Sequence, residues 1–285
     1  MKVIGVGDNV VDKYNNRGIM YPGGNALNFS VYSKMLGIDS AYLGIFGTDF
    51  AGQYVRNVVT DMGLDISHCK NIDGENGFAC VDIIDGDRNF IDSNHGGVSR
   101  LYPLDLKNED LDYLCRFDLI HSSINSFGFQ KFLRLLNERE LVVSFDFSSR
   151  FNDENLKELG KYINYAICSC GHISVEDTKE LIKKIMGYGY DGILATRGIE
   201  GSFFADKGGV YFSPSDMNPA KDTLGAGDSF CTYFLTNYIS HINNNISLSQ
   251  RDRDKKIKED LEKAAHFATK ICMLDGAFNH GTQIQ

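Results

Sequence analysis

The residues best suited to chemistry lie late in the chain, in the run Asp222–Phe230, DTLGAGDSF. Gly225, Ala226 and Gly227 are small, and the apolar pattern FCTYFLTNYI follows almost at once. A small-residue turn that opens a helix leaves several backbone N–H groups aimed the same way, and the helix dipole adds partial positive charge. Such an arrangement holds an anion, above all the charge that develops on a transferring phosphoryl group. Asp228 comes next. It reads either as an acidic first-turn residue that complements the dipole or as a general base taking a proton from an attacking hydroxyl.

A second group lies near the start, in Pro22–Asn28, PGGNALN. Its glycines allow close approach of backbone to a ligand, and Asn25 and Asn28, three residues apart, share one helix face. Amides both donate to and accept from polyol hydroxyls, although a glycine turn with an asparagine cap is the plainer alternative. GDNVVD, residues 7–12, leaves the first strand with Asp12 as a carboxylate that could anchor sugar hydroxyls. TRGIEG, residues 196–201, follows a strand and could line a nucleotide site. GYGYDG at 187–192 matches G-x-G-x-x-G but precedes a strand, so the dinucleotide mechanism does not apply. No P-loop, protein-kinase, H-E-x-x-H or G-x-S-x-G motif is present.

The elements that must position these groups alternate in type. Strands are expected at Lys2–Val6, Ala41–Phe46, Leu119–Ser122, Val142–Asp146, Tyr165–Cys168 and Gly192–Thr196. Helices are expected at Asn25–Leu36, Gly52–Met62, Gly128–Glu138, Ser174–Met186, Asp228–Ile239 and Lys255–Met273. That rhythm implies an α/β fold with a mostly parallel sheet covered on both faces. Residues 9–24 and 77–95 break it and read as hairpins, the second around an Asp-Gly-Asp turn. Together they could form a small sheet that covers a ligand or pairs with another subunit.

Composition sets the outer bounds. The 285 residues suffice for one large α/β domain, 1–285, carrying the hairpins as an appendage. With 42% hydrophobic and 24% charged residues, disorder is excluded. A net charge of −9 disfavours nucleic acid, and no apolar run reaches the roughly 18 residues a membrane span needs. The N-terminus lacks a signal-peptide cleavage region, and seven cysteines without zinc-site spacing suit a reducing compartment, so a cytoplasmic setting is expected.

The order of these motifs resembles the ribokinase-like family of carbohydrate kinases over essentially the whole chain. It runs from GDNVVD through GGNALN and GIFGTDFAG to TRGIEG, DTLGAGDSF and KAAHFATKICMLDGAF. GDNVVDKY, YPGGNALN, MGLDISH, FDFSSR and DTLGAGDSF look most like its members acting on fructoselysine. The resemblance implies a three-layer sandwich with a β-sheet lid. It also implies ATP- and Mg²⁺-dependent phosphorylation of a primary hydroxyl on a sugar or fructosamine, and a homodimer through the lid. Asp228 matches the catalytic base, and Gly225, Ala226 and Gly227 the anion hole. Asp12, Gly24, Asn25 and Asn28 match sugar-contacting positions. Thr196, Gly198 and Gly201 match the nucleotide loop, Ala265 and Ala268 lie near the adenine, and Asp222 opens a block that supports a monovalent cation such as K⁺ in many members. Arg88 in the second hairpin and Arg150 are candidate positive groups, Arg88 being assigned to the substrate. Lid carboxylates among Asp82, Asp85, Asp87 and Asp92 could face a fructosamine's amine.

The chain departs from the family pattern at Thr232 and Tyr233, where small residues are usual. It has no N-x-x-E near CSCGH, leaving Glu176 as a distant candidate, and Ser148 replaces Asn between Asp146 and Arg150. Other acceptors, such as fructose, ribose, a ketogluconate or a nucleoside, and a non-catalytic binding role on the same fold are the competing expectations.

Overall fold

The computed structural model describes residues 1–84, 87–216, 220–243 and 249–285, with the backbone alone for 83, 84, 87–89, 242 and 243. The chain runs β1 (Lys2–Gly7), β2 (Val10–Tyr14), β3 (Ile19–Gly23), α1 (Asn25–Met35), β4 (Asp39–Gly47), α2 (Phe50–Asp61), β5 (Lys70–Ile72), β6 (Phe78–Ile84) and β7 (Asp87–Ser93). It continues through α3 (Val98–Leu101), α4 (Asn108–Leu114), β8 (Leu119–Ser123), α5 (Leu133–Glu138), β9 (Val143–Asp146), α6 (Asp153–Leu159), β10 (Tyr165–Ser169), α7 (Val175–Gly187) and β11 (Gly192–Thr196). The last elements are β12 (Ser202–Asp206), β13 (Gly209–Ser213), α8 (Ala226–Asn243), α9 (Gln250–Ile271) and β14 (Thr282–Gln283).

Nine strands form one sheet in the order β13-β12-β11-β10-β9-β8-β1-β4-β5. Pairing is parallel from β11 to β5 and antiparallel only at the β11-β12-β13 edge. Alternate side chains of each strand enter opposite layers, as the period of two requires. Ile4, Ile120, Ala166 and Ile193 join a core with Leu111 of α4, Leu136 of α5, Leu156 of α6 and Ile185 of α7. Their neighbours Val3, Leu119, Ile167 and Leu194 face the other way, against Phe29 of α1, Phe234 of α8 and Leu261 of α9. This is the three-layer α/β arrangement expected from the alternating apolar runs.

The two expected hairpins are β2–β3 and β6–β7. They join through parallel pairing of β2 with β6, and β14 extends them to a second sheet, β14-β3-β2-β6-β7. One expected helix differs in form at its start. Gly128–Glu138 opens as a 3₁₀ turn, residues 129–132, because Gly128 lies at φ +88° and the chain enters the helix from a left-handed residue. The late helix starts at Gln250, where Ser249 caps it by accepting from the Asp252 N–H. The β12–β13 hairpin, β5 and the short helices α3, α4 and α6 were not expected. All seven cysteines are free; Cys168, Cys170 and Cys231 are buried core thiols, whereas Cys115 is exposed. No described helix is long and apolar enough to cross a membrane.

Candidate active site

Five parallel strands end side by side. Register pairs Ser123 of β8 with Asp146 of β9, and Ser169 of β10 with Thr196 of β11. Whatever follows these strands therefore gathers at one edge, the edge at which open α/β sheets bind ligands. Helix α1 is set close to this edge by Gly5 of β1, since a Cβ there would stand 2.0 Å from the Ala26 carbonyl oxygen. The same helix anchors through the Ser30 hydroxyl, which takes the Gly5 N–H at 3.0 Å.

Asp228 sits in the first turn of α8, whose leading N–H groups have no partner inside the helix. Gly225 turns the chain into that helix at φ +75°, and a Cβ on it would fall 2.0 Å from the Tyr32 hydroxyl. Gly227 faces open space. The Asn25 amide donates to Asp228 Oδ1 at 2.8 Å and the Asn28 amide to Oδ2 at 2.7 Å. The glycine turn and the two asparagines, separated by about 200 residues in sequence, thus meet on one carboxylate. Burial pushes the Asp228 carboxyl up to about 6, against the lowering effect of the two amides. The residue as a whole is half-buried at this edge.

A second carboxylate lies beside it. Asn25 Nδ2 also donates to Asp146 Oδ2 at 3.0 Å, so one amide bridges two acids. Asp146 is raised to about 7, first by burial and then by the charge of Asp228. Ser148, left-handed at φ +53°, turns its N–H back onto Asp146 Oδ1 at 2.6 Å. From Asn25 a chain of amides leads outward. Asn125 donates to Asn25 Oδ1 at 2.6 Å, and Arg150 donates to Asn125 Oδ1. Asp8 underlies the group, taking the backbone N–H of Asn25 at 2.7 Å and the hydroxyls of Ser123 and Ser126 at 2.8 and 3.0 Å. It places a negative charge at the N-terminus of α1, the favourable end of that helix.

The other expected residues take these positions. Gly24 precedes α1 at φ +115° with Asp8 and Asn9 backbone against its α-carbon, so no side chain fits there. Asp12 is buried in β2 over Gly23, where a Cβ would lie 2.6 Å from its Oδ2. The buried Tyr32 phenol is raised well above its ordinary range, first by burial and then by the charge of Asp228. Asp222 is also buried and bonded to Tyr14. Thr196 ends β11, and the turn from Gly198 to Gly201 uses left-handed φ values of +58° and +92° at its two glycines. Arg197 inside it is buried and ties this turn to the start of α7, donating to the carbonyls of Cys170 and Ile173 at 2.8 and 2.7 Å. Ala265 is a core residue between α8 and α9, with Ala268 packed at its edge. One turn on, Thr269 donates to the Asp216 carbonyl, which brings the 214–216 loop over this part of α9.

The side chain of Arg88 lies outside the described residues, as do Asp85 and the side chain of Asp87. Asp82 accepts the Asn16 N–H at 3.2 Å within the second sheet, and Asp92 is exposed with a local bond to Ser93 N. Neither carboxylate is thereby committed to the cleft. The residues that sequence reasoning missed are Asp8, Asn125, Tyr14 and Tyr32, and Asp146 was read only as part of a pattern with Arg150. Asp8 stands four residues before Asp12 in the same motif. An acid directly at a strand's carboxyl end was the available signal.

Comparison with known proteins gives the chain's relatives. The model of the pfkB family carbohydrate kinases matches residues 1–275. The chain is 37% identical to fructosamine kinase FrlD of Bacillus subtilis strain 168, over 99% of this chain and 94% of that protein. It is 30% identical to fructoselysine 6-kinase of Escherichia coli strain K12, over 81% of this chain and 86% of that one. Among solved structures, Arabidopsis thaliana ribokinase complexed with ribose and ATP superposes with a TM-score of 0.77 at 17% identity, covering 97% of this chain and 94% of the other. At that identity the likeness speaks for the fold.

Proposed function

The chain belongs to the pfkB family of carbohydrate kinases, and from that premise we propose that it transfers the γ-phosphoryl group of ATP to the 6-hydroxyl of a fructosamine, fructoselysine being the acceptor. The acceptor class is supported by the 37% identity to a fructosamine kinase along nearly the whole chain. The observation that carries the reaction is the seating of Asp228: first turn of α8, two asparagine amides on its carboxylate, carboxyl edge of the sheet.

Asn25 and Asn28 hold Asp228 so that a free carboxylate lone pair can meet an acceptor hydroxyl. As the hydroxyl oxygen bonds to the γ-phosphorus and the bond to the β-phosphate bridging oxygen breaks, Asp228 takes the hydroxyl proton. The backbone N–H groups at 225–228 lie where charge on the transferring group develops, and fixed dipoles in such a place act without reorganising. Asp12 and the Asn25–Asn125–Arg150 chain contribute polar groups to the acceptor side, while the 196–201 turn and the α9 segment around Ala265 and Ala268 form the nucleotide side.

Among the described residues no three or more His, Cys, Asp or Glu side chains gather into a metal cage. Mg²⁺ is commonly held by one or two carboxylates with substrate phosphates. Asp228 would hold it, and Glu176, exposed in the first turn of α7, is the more distant candidate. When bound with ATP the ion neutralises phosphate charge.

The second sheet serves as the lid over the acceptor, excluding water that would otherwise take the phosphoryl group. Its edge strand β7 carries exposed Phe90 and Ile91, a surface suited to pairing with the lid of a second copy. An ADP-release assay with fructoselysine, fructose, ribose, a ketogluconate and a nucleoside tests the function. Fructoselysine is expected to give the highest kcat/KM. A preference for a free sugar would transfer the reading to that acceptor, and ATP binding without ADP release from any acceptor would favour a non-catalytic role.

A further inference from the structure

Asp222 is the residue at which the family resemblance places a monovalent cation, and its surroundings are built from donors. The carboxylate is 2% exposed. Its Oδ2 accepts the Tyr14 hydroxyl at 2.5 Å and the Gly276 N–H at 3.0 Å, and its Oδ1 accepts the Leu224 N–H at 3.0 Å. The neighbouring carbonyl oxygens are occupied as well. Cys272 O receives the N–H groups of Lys221 and Asp222 at 2.8 and 3.0 Å, and Ala277 O receives the Tyr32 hydroxyl at 2.7 Å. A buried carboxylate needs compensation, and several hydrogen bonds to the charged form supply it. With three donors already on Asp222, the buried charge does not call for K⁺ to compensate it.

We infer that Tyr14 stands in for the cation: its hydroxyl compensates Asp222 and fixes the 222–228 turn, so that the kinase works without a bound monovalent ion. Tyr14 is then a positioning residue. It acts on the phosphoryl site through Asp222 and the Leu224 N–H, immediately before Gly225. Because Tyr14 belongs to β2, this bond also fastens the second sheet to the turn that receives phosphate. The catalytic half of this inference rests on the function proposed above; the cation half does not.

The test compares 100 mM-range KCl with tetramethylammonium chloride, a cation too large for such a site, at equal ionic strength, for the wild-type chain and for Tyr14→Phe. The wild-type melting temperature and kcat/KM are expected to be the same in both salts. A saturable rise of about 5 °C in wild-type melting temperature with K⁺, the signature of a ligand bound only by the folded state, would overturn the inference. Tyr14→Phe is expected to lose about tenfold in kcat while KM for ATP stays within about twofold, the pattern of a disturbed transition state with intact nucleotide binding. A Tyr14→Phe protein equal to wild type in kcat contradicts the positioning role. Failure of every acceptor in the panel would refute the kinase reading alone, since the melting comparison still decides the cation.

Discussion

Asp228 gains its chemistry from where it is held. Burial keeps its carboxyl near 6, close enough to neutrality for the proposed base, which would take a proton and later release it. Protonation removes the base, so kcat/KM is expected to fall as pH drops through about 6 and to level off above it; a profile flat from pH 5 to 8 would contradict this. Asp146 is the costlier neighbour. Its folded-state value, about 7, lies above its ordinary one, so the folded protein binds this proton more tightly than the unfolded chain does. The resulting stability is fully present below about pH 4 and is lost as pH rises through about 7. Asp146→Asn should therefore be more stable than wild type at pH 8, by roughly 1–3 kcal/mol, with the advantage shrinking toward pH 5. Denaturant melts at the two pH values check this. An equal difference at both would show that Asp146 carries no such proton. Loss of activity alongside the gain in stability would fit an acid retained for function.

At the scale of elements, the site is a meeting of two helix starts at one sheet edge. The turn before α8 tolerates no side chain at Gly225: φ is +75° and the Tyr32 hydroxyl occupies the Cβ position. Gly225→Ala should displace the turn and lower kcat by about a hundredfold, given the roughly 1–3 kcal/mol cost of a left-handed non-glycine residue added to the clash. Adding Tyr32→Phe removes the hydroxyl and should recover only part of that loss, because the backbone strain remains. Full recovery or none would each contradict this division. The same scale explains what could be read beforehand. Apolar runs such as KVIGVG and GILAT announced central strands, and the small residues of GAGD announced a helix start, because both signals are local. Asn25 and Asn28 were legible as a pair because helical spacing alone puts them on one face. Asp146 and Asn125 were not, because only the register of β8 against β9 brings their strand ends together. No local pattern marks Tyr14 and Tyr32, whose hydroxyls acquire roles only through partners at Asp222 and Ala277, more than 200 residues away in sequence. The β12–β13 hairpin escaped notice because it adds antiparallel strands to the edge of a sheet whose other members are parallel.

At the scale of the whole molecule, two sheets share one job. The nine-stranded sheet supplies the fixed edge, and the second sheet, bonded through Tyr14 to Asp222 ahead of α8, supplies the cover in the proposed function. Exposed Phe90 and Ile91 on β7 give that cover an unpaired apolar edge. Replacing both by Lys should convert a dimer to a monomer in sedimentation velocity; a wild-type monomer, or a variant that remains dimeric, would contradict pairing through this strand. The most direct test of the central claim is single-turnover transfer of label from γ-³²P-ATP to fructoselysine by the wild-type chain and by Asp228→Asn, with ATP affinity measured in parallel. Wild type is expected to yield labelled fructoselysine 6-phosphate, and Asp228→Asn to transfer at least about a thousandfold more slowly with ATP affinity unchanged. Transfer by Asp228→Asn within about tenfold of wild type would contradict the assignment of the base.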